Sequence, residues 1–313
     1  MLPFVERFRP ELEAEGIEVV VADVEERLSE EQLLGCVGDV DAIICGDDRI
    51  TARVLDAAPR LKVISKWGTG VDSIDRAAAY ARGIVVCNTP DAFSIPVADT
   101  TLGYMLCFAR NVMDMTLTMR GGEWHKTPGF ALHERTIGIV GAGNVGRAVA
   151  SRARAFGMRI LGTDPQPPPA SFLSESGMVM TGFDTLLRES DFITLHCDLN
   201  PTSFHLMNDA AFARVRPSAI VINTARGPVI EEPALVRALE ENRLGGAALD
   251  VFEVEPLPLD SPLRRMPNVL LAPHNANSSP TAWERVHRNT IDNVYRVLKG
   301  RSIGTGPVPQ PSA

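Results

Sequence analysis

The sequence predicts an α/β protein made of two domains, each with a doubly wound parallel sheet. Three observations predict this fold. Short Val- and Ile-rich runs alternate with amphipathic stretches, the alternation begins again after residue 135, and a Gly-x-Gly-x-x-Gly turn directly follows one of the apolar runs. Buried strands separated by helix-length stretches are typical of parallel sheets with crossover helices. The 313 residues are also enough for two ordinary domains.

The first ninety residues contain four predicted strands: "IEVVVADV", "DAIICG", "LKVISKWG" and "IVVCNTP". Helix-like stretches separate them. The chain opens on "ERFRPELEAEG", which predicts a helix with no strand before it. An α/β domain normally begins with a strand, so two alternatives stay open: the first strand is missing, or residues 2–5 are its remnant.

Residues 97–119 are apolar, contain no proline and only one glycine, and predict one long buried helix that joins the two domains. The second domain has six predicted strands: "TIGIVG", "MRILGTD", "DFITLHC", "AIVINTA", "GGAALDVF" and "NVLLAPH". A last helix is predicted over about 279–299. The Gly- and Pro-rich residues after it are expected to be poorly ordered.

Composition excludes several classes of function. A net charge of −8 argues against a nucleic-acid partner, because such partners are bound by clustered Lys and Arg. No apolar run reaches the roughly 18 residues of a membrane span, and no secretory signal is visible, so we expect a cytoplasmic protein without membrane contact. The five cysteines show no metal-binding spacing and predict reduced thiols and no metal site.

The glycine turn predicts a dinucleotide site on a Rossmann-like domain. In "TIGIVGAGNVGRAVA", Gly141 allows a tight turn, Gly143 lets the backbone approach a pyrophosphate, and Gly146 lets helix and strand pack closely. Asp164 ends the next strand, where a carboxylate can accept hydrogen bonds from a ribose and repel a 2′-phosphate. NAD is therefore favoured over NADP. The alternative is a purely structural turn with an incidental acid.

Ionisable residues follow three later strands. Arg226 follows "VINTA" and could bind a carboxylate, although it could also be a surface residue paired with a nearby glutamate. His274 follows "NVLLAP" and could exchange a proton, although a lone histidine is more often structural. One acid of "ALDVFEVEP" could stabilise the protonated imidazole. Spacing alone does not choose among its three acids.

Taken together, "GAGNVG", Asp164, "NTARG", "GAALDVFEVEP" and "APH" resemble the NAD-dependent D-isomer-specific 2-hydroxyacid dehydrogenases. "ISKWGTGVDSID" and the stretch around residues 86–110 resemble the substrate loop and interdomain helix of that family, so the resemblance covers nearly the whole chain. It implies hydride transfer between NAD(H) and a small 2-oxo or D-2-hydroxy acid. Matching position by position, it implies that Arg226 binds the substrate carboxylate and that Glu255 and His274 are the acid/base dyad.

The resemblance also implies further site residues and a domain plan. Cofactor contacts are implied at the glycine turn with Asn144 and Val145, at Asp164, and at Cys197, Thr224 and Asp250. Substrate contacts are implied at Lys66, Trp67, Gly68, Thr69 and Gly70. The plan is a discontinuous substrate domain over 1–97 and 288–313, an NAD domain over 98–287, an active-site cleft between them, and a homodimer.

The sequence departs from the family in places and leaves alternatives. Asp198 stands where the family usually has proline, and "NANSS" after His274 differs from the small-residue run of relatives. Lys66 could equally be a surface lysine. Phosphoglycerate and glyoxylate or hydroxypyruvate enzymes are both compatible with the sequence. Other functions compatible with the fold are an NAD-binding sensor or corepressor without useful turnover, and a phosphonate-type dehydrogenase.

Overall fold

The computed structural model describes residues 2–24, 27–302 and 307–309. The chain divides into two compact units, one formed by Met1–Phe93 with Ser279–Ala313 and the other by Ser94–Ser278. The first boundary lies four residues before the predicted one and the second lies nine residues before it. Both units contain a parallel sheet, so the predicted α/β class with two parallel-sheet domains is confirmed.

The smaller unit has a three-stranded parallel sheet in the order β1-β2-β3. Its strands are β1 (Ala42–Cys45), β2 (Val63–Lys66) and β3 (Val85–Cys87). Its helices are α1 (Leu2–Ala14), α2 (Glu30–Leu34), α3 (Ala52–Asp56), α4 (Arg76–Ala81) and, from the C-terminal part of the chain, α12 (Pro280–Leu298). The strands lie where three of the four apolar runs predicted them.

The first of the four predicted strands is wrong, because residues 17–24 form no strand. Val20 and Val21 are exposed, and the carbonyl of Val19 accepts a hydrogen bond from Arg9 Nη1 at 2.7 Å. A side chain thus takes a backbone acceptor that a neighbouring strand would use. The alternative that residues 2–5 are a strand remnant is also wrong, since helix α1 begins at Leu2.

The larger unit has a seven-stranded parallel sheet in the order β10-β9-β8-β7-β4-β5-β6. Its strands are β4 (Thr136–Val140), β5 (Arg159–Thr163), β6 (Val179–Met180), β7 (Phe192–Leu195), β8 (Ile220–Asn223), β9 (Gly246–Leu249) and β10 (Val269–Leu271). Its helices are α5 (Ser94–Ala109), α6 (Val112–Arg120), α7 (Asn144–Ala155), α8 (Ala170–Ser176), α9 (Phe183–Glu189), α10 (Asp209–Phe212) and α11 (Glu232–Glu240).

This strand order explains where a ligand site can form. The chain runs outward from β4 to β6, then returns to β7 on the other side of β4. The carboxyl ends of β4 and β7 therefore flank the point where the winding direction reverses, which is where open α/β sheets bind ligands. Buried strand residues such as Ile137, Phe192 and Ile193 pack on both faces, and separate apolar clusters lie on the two sides of the sheet.

The long helix predicted over 97–119 is two helices instead. Helix α5 ends at Ala109 and α6 begins at Val112, because Asn111 takes a left-handed conformation with φ of 51° and its side chain bonds the Pro128 carbonyl. None of the residues of α6 is buried. The prediction of a buried helix therefore holds for α5 and fails for α6.

The C-terminal tail lies only partly within the described residues. Its Val308 amide donates to the Val86 carbonyl at 2.9 Å, so residues 307–309 pair with β3, whereas 303–306 and 310–313 are outside the described part. Across the described ranges, no helix combines the length and apolarity needed to cross a membrane.

Candidate active site

The three glycines of the turn after β4 are required for three different reasons. Gly141 has φ of +92°, and a Cβ there would lie 2.5 Å from the Cys197 amide nitrogen at the end of β7. A Cβ on Gly146 would overlap the Gly141 carbonyl oxygen, so helix α7 packs on the turn only without a side chain. At Gly143 none of the described atoms lies within 4 Å of a Cβ position. The backbone there faces open space, as approach by a pyrophosphate requires.

The start of α7 fits a phosphate group. The helix begins at Asn144, directly after Gly143, so the amides of Asn144 and Val145 belong to its first turn, which has no intrahelical acceptors. Asp164 follows β5, and its carboxylate accepts from the amides of Ala142 and Gln166, each at 2.7 Å. The residues predicted to hold a dinucleotide are therefore brought together, and their chemistry fits one.

A partly buried polar chain lies at the ends of β7 and β8. Thr224 Oγ1 is 3.4 Å from His196 Nδ1 and 3.4 Å from Thr101 Oγ1. Burial lowers the pKa of His196 to about 3, so this imidazole is neutral at physiological pH. Burial also raises the pKa of the adjacent Cys197 thiol to about 11. Both side chains are therefore uncharged.

His274 and Glu255 are in direct contact. Glu255 Oε2 lies 3.0 Å from His274 Nδ1, and Glu255 Oε1 accepts from the Phe252 amide at 3.0 Å. Both side chains are about one quarter exposed or less. His274 follows β10 with φ of 52°, a conformation that non-glycine residues rarely adopt. Among the three acids of "ALDVFEVEP", it is Glu255 that touches the imidazole.

Asp250 holds the segment that follows His274. Its two carboxylate oxygens accept from the amides of Asn275 and Ala276, each at 2.8 Å, and its own carbonyl accepts from the His274 amide at 2.7 Å. Burial raises the pKa of this carboxyl, and the two amides oppose that rise. Asp250 thus fixes the position of the histidine backbone.

Arg226 lies on a turn after β8 that side-chain hydrogen bonds stabilise. Asn223 Nδ2 donates to the Arg226 carbonyl at 2.9 Å, and Arg226 Nη1 donates to the Ala225 carbonyl at 2.9 Å. Any Cβ on the next residue, Gly227, would overlap the Phe252 carbonyl. The turn that carries Arg226 therefore packs directly against the loop that carries Glu255.

A second set of ionisable residues, which the sequence did not predict, lies behind these two loops. His205 Nε2 contacts Glu253 Oε1, and Glu253 and Glu232 exchange backbone-to-carboxylate hydrogen bonds at 3.2 and 3.3 Å. Burial raises the pKa of Glu232, and the charge of Glu253 adds to that rise. The only sequence signal was the run of acids itself, since His205 lies 48 residues from Glu253.

In the smaller unit, the predicted substrate loop follows β2. Thr89 N donates to the Gly68 carbonyl at 2.8 Å, Asn88 Nδ2 donates to the Thr69 carbonyl at 2.6 Å, and Thr69 Oγ1 donates to the Thr89 carbonyl at 3.0 Å. Gly68 has φ of +121°, which favours glycine. The loop from Gly68 to Gly70 is therefore held by the segment after β3.

Lys66 is buried at the end of β2. It is only 3% exposed, so the surface-lysine alternative is wrong. Its ammonium donates to the Gly46 carbonyl at 2.6 Å and to Asp47 Oδ1 at 2.7 Å, near the end of β1. The substrate contact implied for Lys66 stays a prediction.

Asp198, the residue in place of a family proline, is exposed. Its carbonyl accepts from Ser203 Oγ at 2.5 Å and from Asn200 Nδ2 at 3.4 Å, so it forms part of a turn. Nothing in the structure gives its side chain a role. Within the described ranges, no group of three or more His, Cys, Asp or Glu residues is arranged to hold a metal ion.

Comparison with known proteins identifies the family. Residues 102–276 match the model of the D-isomer specific 2-hydroxyacid dehydrogenase NAD binding domain. The chain is 41% identical over 279 residues to a glyoxylate reductase of Thermofilum pendens, covering 87% of this chain and 82% of that protein. It is 39% identical over 286 residues to a D-3-phosphoglycerate dehydrogenase of Methanocaldococcus jannaschii, covering 90% of this chain but only 54% of the relative.

A solved structure of a related enzyme has the same fold as this chain. The D-lactate dehydrogenase of Aquifex aeolicus, crystallised with NAD and lactic acid, superimposes with a TM-score of 0.85 at 27% identity, covering 95% of this chain and 93% of that one. The chain spans about half the length of the phosphoglycerate dehydrogenase relative but most of the length of the other two. The resemblance predicted from the motifs is confirmed: this chain belongs to the D-isomer specific 2-hydroxyacid dehydrogenase family, whose members are NAD-dependent oxidoreductases that act on CH–OH groups.

Proposed function

We propose that this chain interconverts a short 2-oxo acid and the corresponding D-2-hydroxy acid with NAD(H). The observation that carries the proposal is the contact between His274 and Glu255, in the same unit as a glycine turn that fits a dinucleotide. A dinucleotide held by the glycine turn and Asp164 would supply the hydride chemistry at C2 of the substrate. Every other role falls to the side chains and backbone of the chain.

His274 is the proposed proton donor and acceptor of the reaction. In the reducing direction the protonated imidazole donates to the carbonyl oxygen of the substrate, and in the oxidising direction the neutral imidazole accepts the hydroxyl proton. Glu255 stabilises the imidazolium and, through Nδ1, fixes the orientation of the ring. Asp250 keeps the histidine backbone in place.

Arg226 binds the substrate carboxylate and stabilises the charge that develops on the adjacent oxygen. For the smaller unit, the proposal is that amides of the Gly68–Gly70 loop also bind the carboxylate. Thr224 and Cys197, with the neutral imidazole of His196 beside them, accommodate the nicotinamide. The positive charge of Arg226 complements the negative charge of the substrate carboxylate.

We propose that NAD is preferred over NADP. Asp164 carries its carboxylate at the end of β5, where the adenosine ribose is expected, and a negative charge repels a 2′-phosphate. The preference is a proposal for this chain, supported by the position of Asp164 beside the glycine turn.

A panel of 2-oxo acids tests the reaction directly. Glyoxylate, hydroxypyruvate, pyruvate and 3-phosphohydroxypyruvate are each incubated with NADH or NADPH, and loss of absorbance at 340 nm is followed. We expect at least one acid to be reduced with NADH. His274→Ala should lower turnover by about a hundredfold or more while the Kd for NADH stays unchanged.

This panel, together with phosphite and NAD, distinguishes the enzyme from the sensor and from the phosphonate-type dehydrogenase. A chain that binds NADH yet reduces none of the acids would be the sensor or corepressor rather than the enzyme. Oxidation of phosphite with NAD in place of any 2-hydroxy acid would identify a phosphonate-type dehydrogenase. Either result would replace the proposed function.

We also propose that the chain is a cytoplasmic homodimer. All five cysteines are free thiols, as in reducing compartments. Helix α6 exposes Val112, Met113, Leu117 and Met119, and the nearby Trp124 is 78% exposed. An apolar patch of this kind on a helix without buried residues is typical of a subunit interface, and a second copy of this chain is its proposed occupant.

A further inference from the structure

A buried hydrogen bond in the smaller unit joins Trp67 to His287. Trp67 Nε1 lies 2.9 Å from His287 Nδ1. The indole N–H can only donate, so Nδ1 must be the acceptor and the imidazole must be neutral with its proton on Nε2. His287 is 3% exposed, and its Nε2 has no hydrogen-bond partner among the described residues. The proposed reaction uses neither side chain.

Aromatic rings hold this pair on both sides. The Phe4 ring stacks on His287 with the ring centroids 4.7 Å apart, and Trp67 lies 5.5 Å from both His287 and Phe93. The imidazole is therefore confined between α1 and the end of β2. Only its Nδ1 atom has a hydrogen-bond partner there, and that partner is the indole.

Trp67 is also the residue immediately before the Gly68–Gly70 loop. The loop is held from one side by Asn88 and Thr89, and α12 in turn supports that segment through Asn289, whose Nδ2 donates to Thr89 Oγ1 at 2.9 Å. On the other side, the loop begins at an indole fixed by His287. One helix, α12, therefore supports the loop through two polar side chains: His287 bonds the residue before the loop, and Asn289 bonds the segment that contacts Gly68 and Thr69.

We propose that His287 is a positioning residue: as a neutral acceptor it fixes Trp67 and thereby keeps the Gly68–Gly70 loop in the conformation that binds the substrate, and its protonation releases Trp67. This inference rests on the proposed function for its effect on catalysis. The bond itself, and its loss on protonation, do not depend on that function.

The charges around His287 favour its neutral form. Burial lowers the pKa of His287, Glu284 on α12 opposes this, and Arg7 on α1 adds to it. Arg7 and Glu284 form an ion pair at 2.9 Å, and the strand-side neighbours Ile44 and Trp67 carry no charge. His287 therefore takes up a proton at a lower pH than an ordinary histidine does, and the indole N–H then loses its acceptor.

Two substitutions at His287 test the positioning role. His287→Leu removes the acceptor, whereas His287→Asn can present Oδ1 close to the place of Nδ1. We expect His287→Leu to raise KM for the 2-oxo acid about tenfold, because the buried indole N–H is left without an acceptor and no longer fixes the start of the loop. The kcat should change by less than about threefold, the Kd for NADH should stay the same, and His287→Asn should restore KM. A wild-type KM in His287→Leu would overturn the proposal, as would equal losses in both variants.

Fluorescence tests the bond without any substrate. In a Trp124→Phe/Trp283→Phe protein, Trp67 is the only tryptophan, and its emission is followed from pH 7.5 to pH 4.5 while circular dichroism monitors folding. We expect a single-proton change in emission before the fold is lost, and no such change when His287→Asn is added. An identical titration with and without His287→Asn would contradict the proposal. If none of the 2-oxo acids is reduced, the proposed function fails, while this titration still decides the role of His287.

Discussion

The carboxylate of Asp164 accepts a hydrogen bond from the amide of Ala142 at 2.7 Å. The residue proposed to select NAD therefore also holds the glycine turn that approaches the pyrophosphate. One side chain links the two parts of the dinucleotide site, so a substitution there has two separable effects.

Two variants separate these effects. Asp164→Asn removes the charge but keeps an oxygen that can accept from Ala142, whereas Asp164→Ala removes both. We expect the ratio of the Kd for NADPH to the Kd for NADH to fall at least tenfold in both variants. The Kd for NADH should rise more in Asp164→Ala, because only there does the turn lose its hydrogen bond. Fluorescence titration of each cofactor measures both constants, and an unchanged ratio would remove Asp164 from cofactor selection.

Glu255 and Glu253 offer a matched test of the dyad. They lie two residues apart, but Glu255 contacts His274 whereas Glu253 contacts His205. Glu255→Gln should lower kcat by about tenfold to a hundredfold, because the imidazolium loses its charged partner. Glu253→Gln, which keeps an acceptor for the Glu232 amide, should retain most of the activity.

The pH profile supplies the control for this pair. In Glu255→Gln the acid form of His274 is less stabilised, so the loss of reducing activity at alkaline pH should begin at a lower pH than in the wild type. The profile of Glu253→Gln should follow the wild type. Equal kcat losses in the two variants would mean that the loop as a whole is needed, and not the carboxylate of Glu255.

The sequence predicted the parts of the site that depend on local order. A glycine turn between a buried strand and a helix, an acid at the end of the next strand, and an imidazole after the last strand each follow from positions that a parallel sheet brings to one edge. Glu255 required the family resemblance, because "ALDVFEVEP" offers three acids at similar spacing. The structure distinguishes them by their partners: Glu255 with His274, Glu253 with His205, and Asp250 with backbone amides.

What the sequence did not predict depends on partners far along the chain or on a single conformation. His287 bonds to Trp67 across 220 residues, a separation that no local pattern in the sequence reveals. The break between α5 and α6 depends on the left-handed backbone of Asn111. Residues 17–24 have strand-like composition, yet a strand also requires a neighbour, and Arg9 bonds the Val19 carbonyl instead.

Gly227 should be intolerant of any side chain. Its Cβ would overlap the Phe252 carbonyl oxygen, which belongs to the backbone and cannot move aside cheaply. We expect Gly227→Ala to lower the free energy of unfolding by about 2–4 kcal/mol. The control is Gly103→Ala in α5, where none of the described atoms lies within 4 Å of the new Cβ; it should raise stability by up to about 1 kcal/mol. Urea unfolding measures both, and similar effects of the two substitutions would contradict the prediction.

If two copies of this chain associate through α6, a charged side chain in place of Leu117 should prevent the dimer from forming. Leu117 is 60% exposed in the single chain, and Leu117→Asp would bury a carboxylate against the second copy. We expect this variant to be a monomer by sedimentation velocity at concentrations where the wild type is a dimer. Leu259, which is 88% exposed in another part of the same unit, provides the control: Leu259→Asp should leave the dimer intact. A wild-type chain that sediments as a monomer would rule the interface out.

The partly buried His196, whose Nε2 atom is buried, should make the fold sensitive to acid. Burial lowers its pKa to about 3, whereas the unfolded chain has a histidine pKa of about 6.5. Below pH 6.5 the unfolded state therefore binds a proton that the folded state does not, and the free energy of unfolding falls as the pH falls toward 3. By pH 5 the loss from His196 alone is about 2 kcal/mol. Urea unfolding between pH 7 and pH 5 should show this loss in the wild type and a smaller one in His196→Asn. The exposed His125 gives the control, since His125→Asn should not change the slope, and a slope equally steep in His196→Asn would show that other groups cause the acid sensitivity.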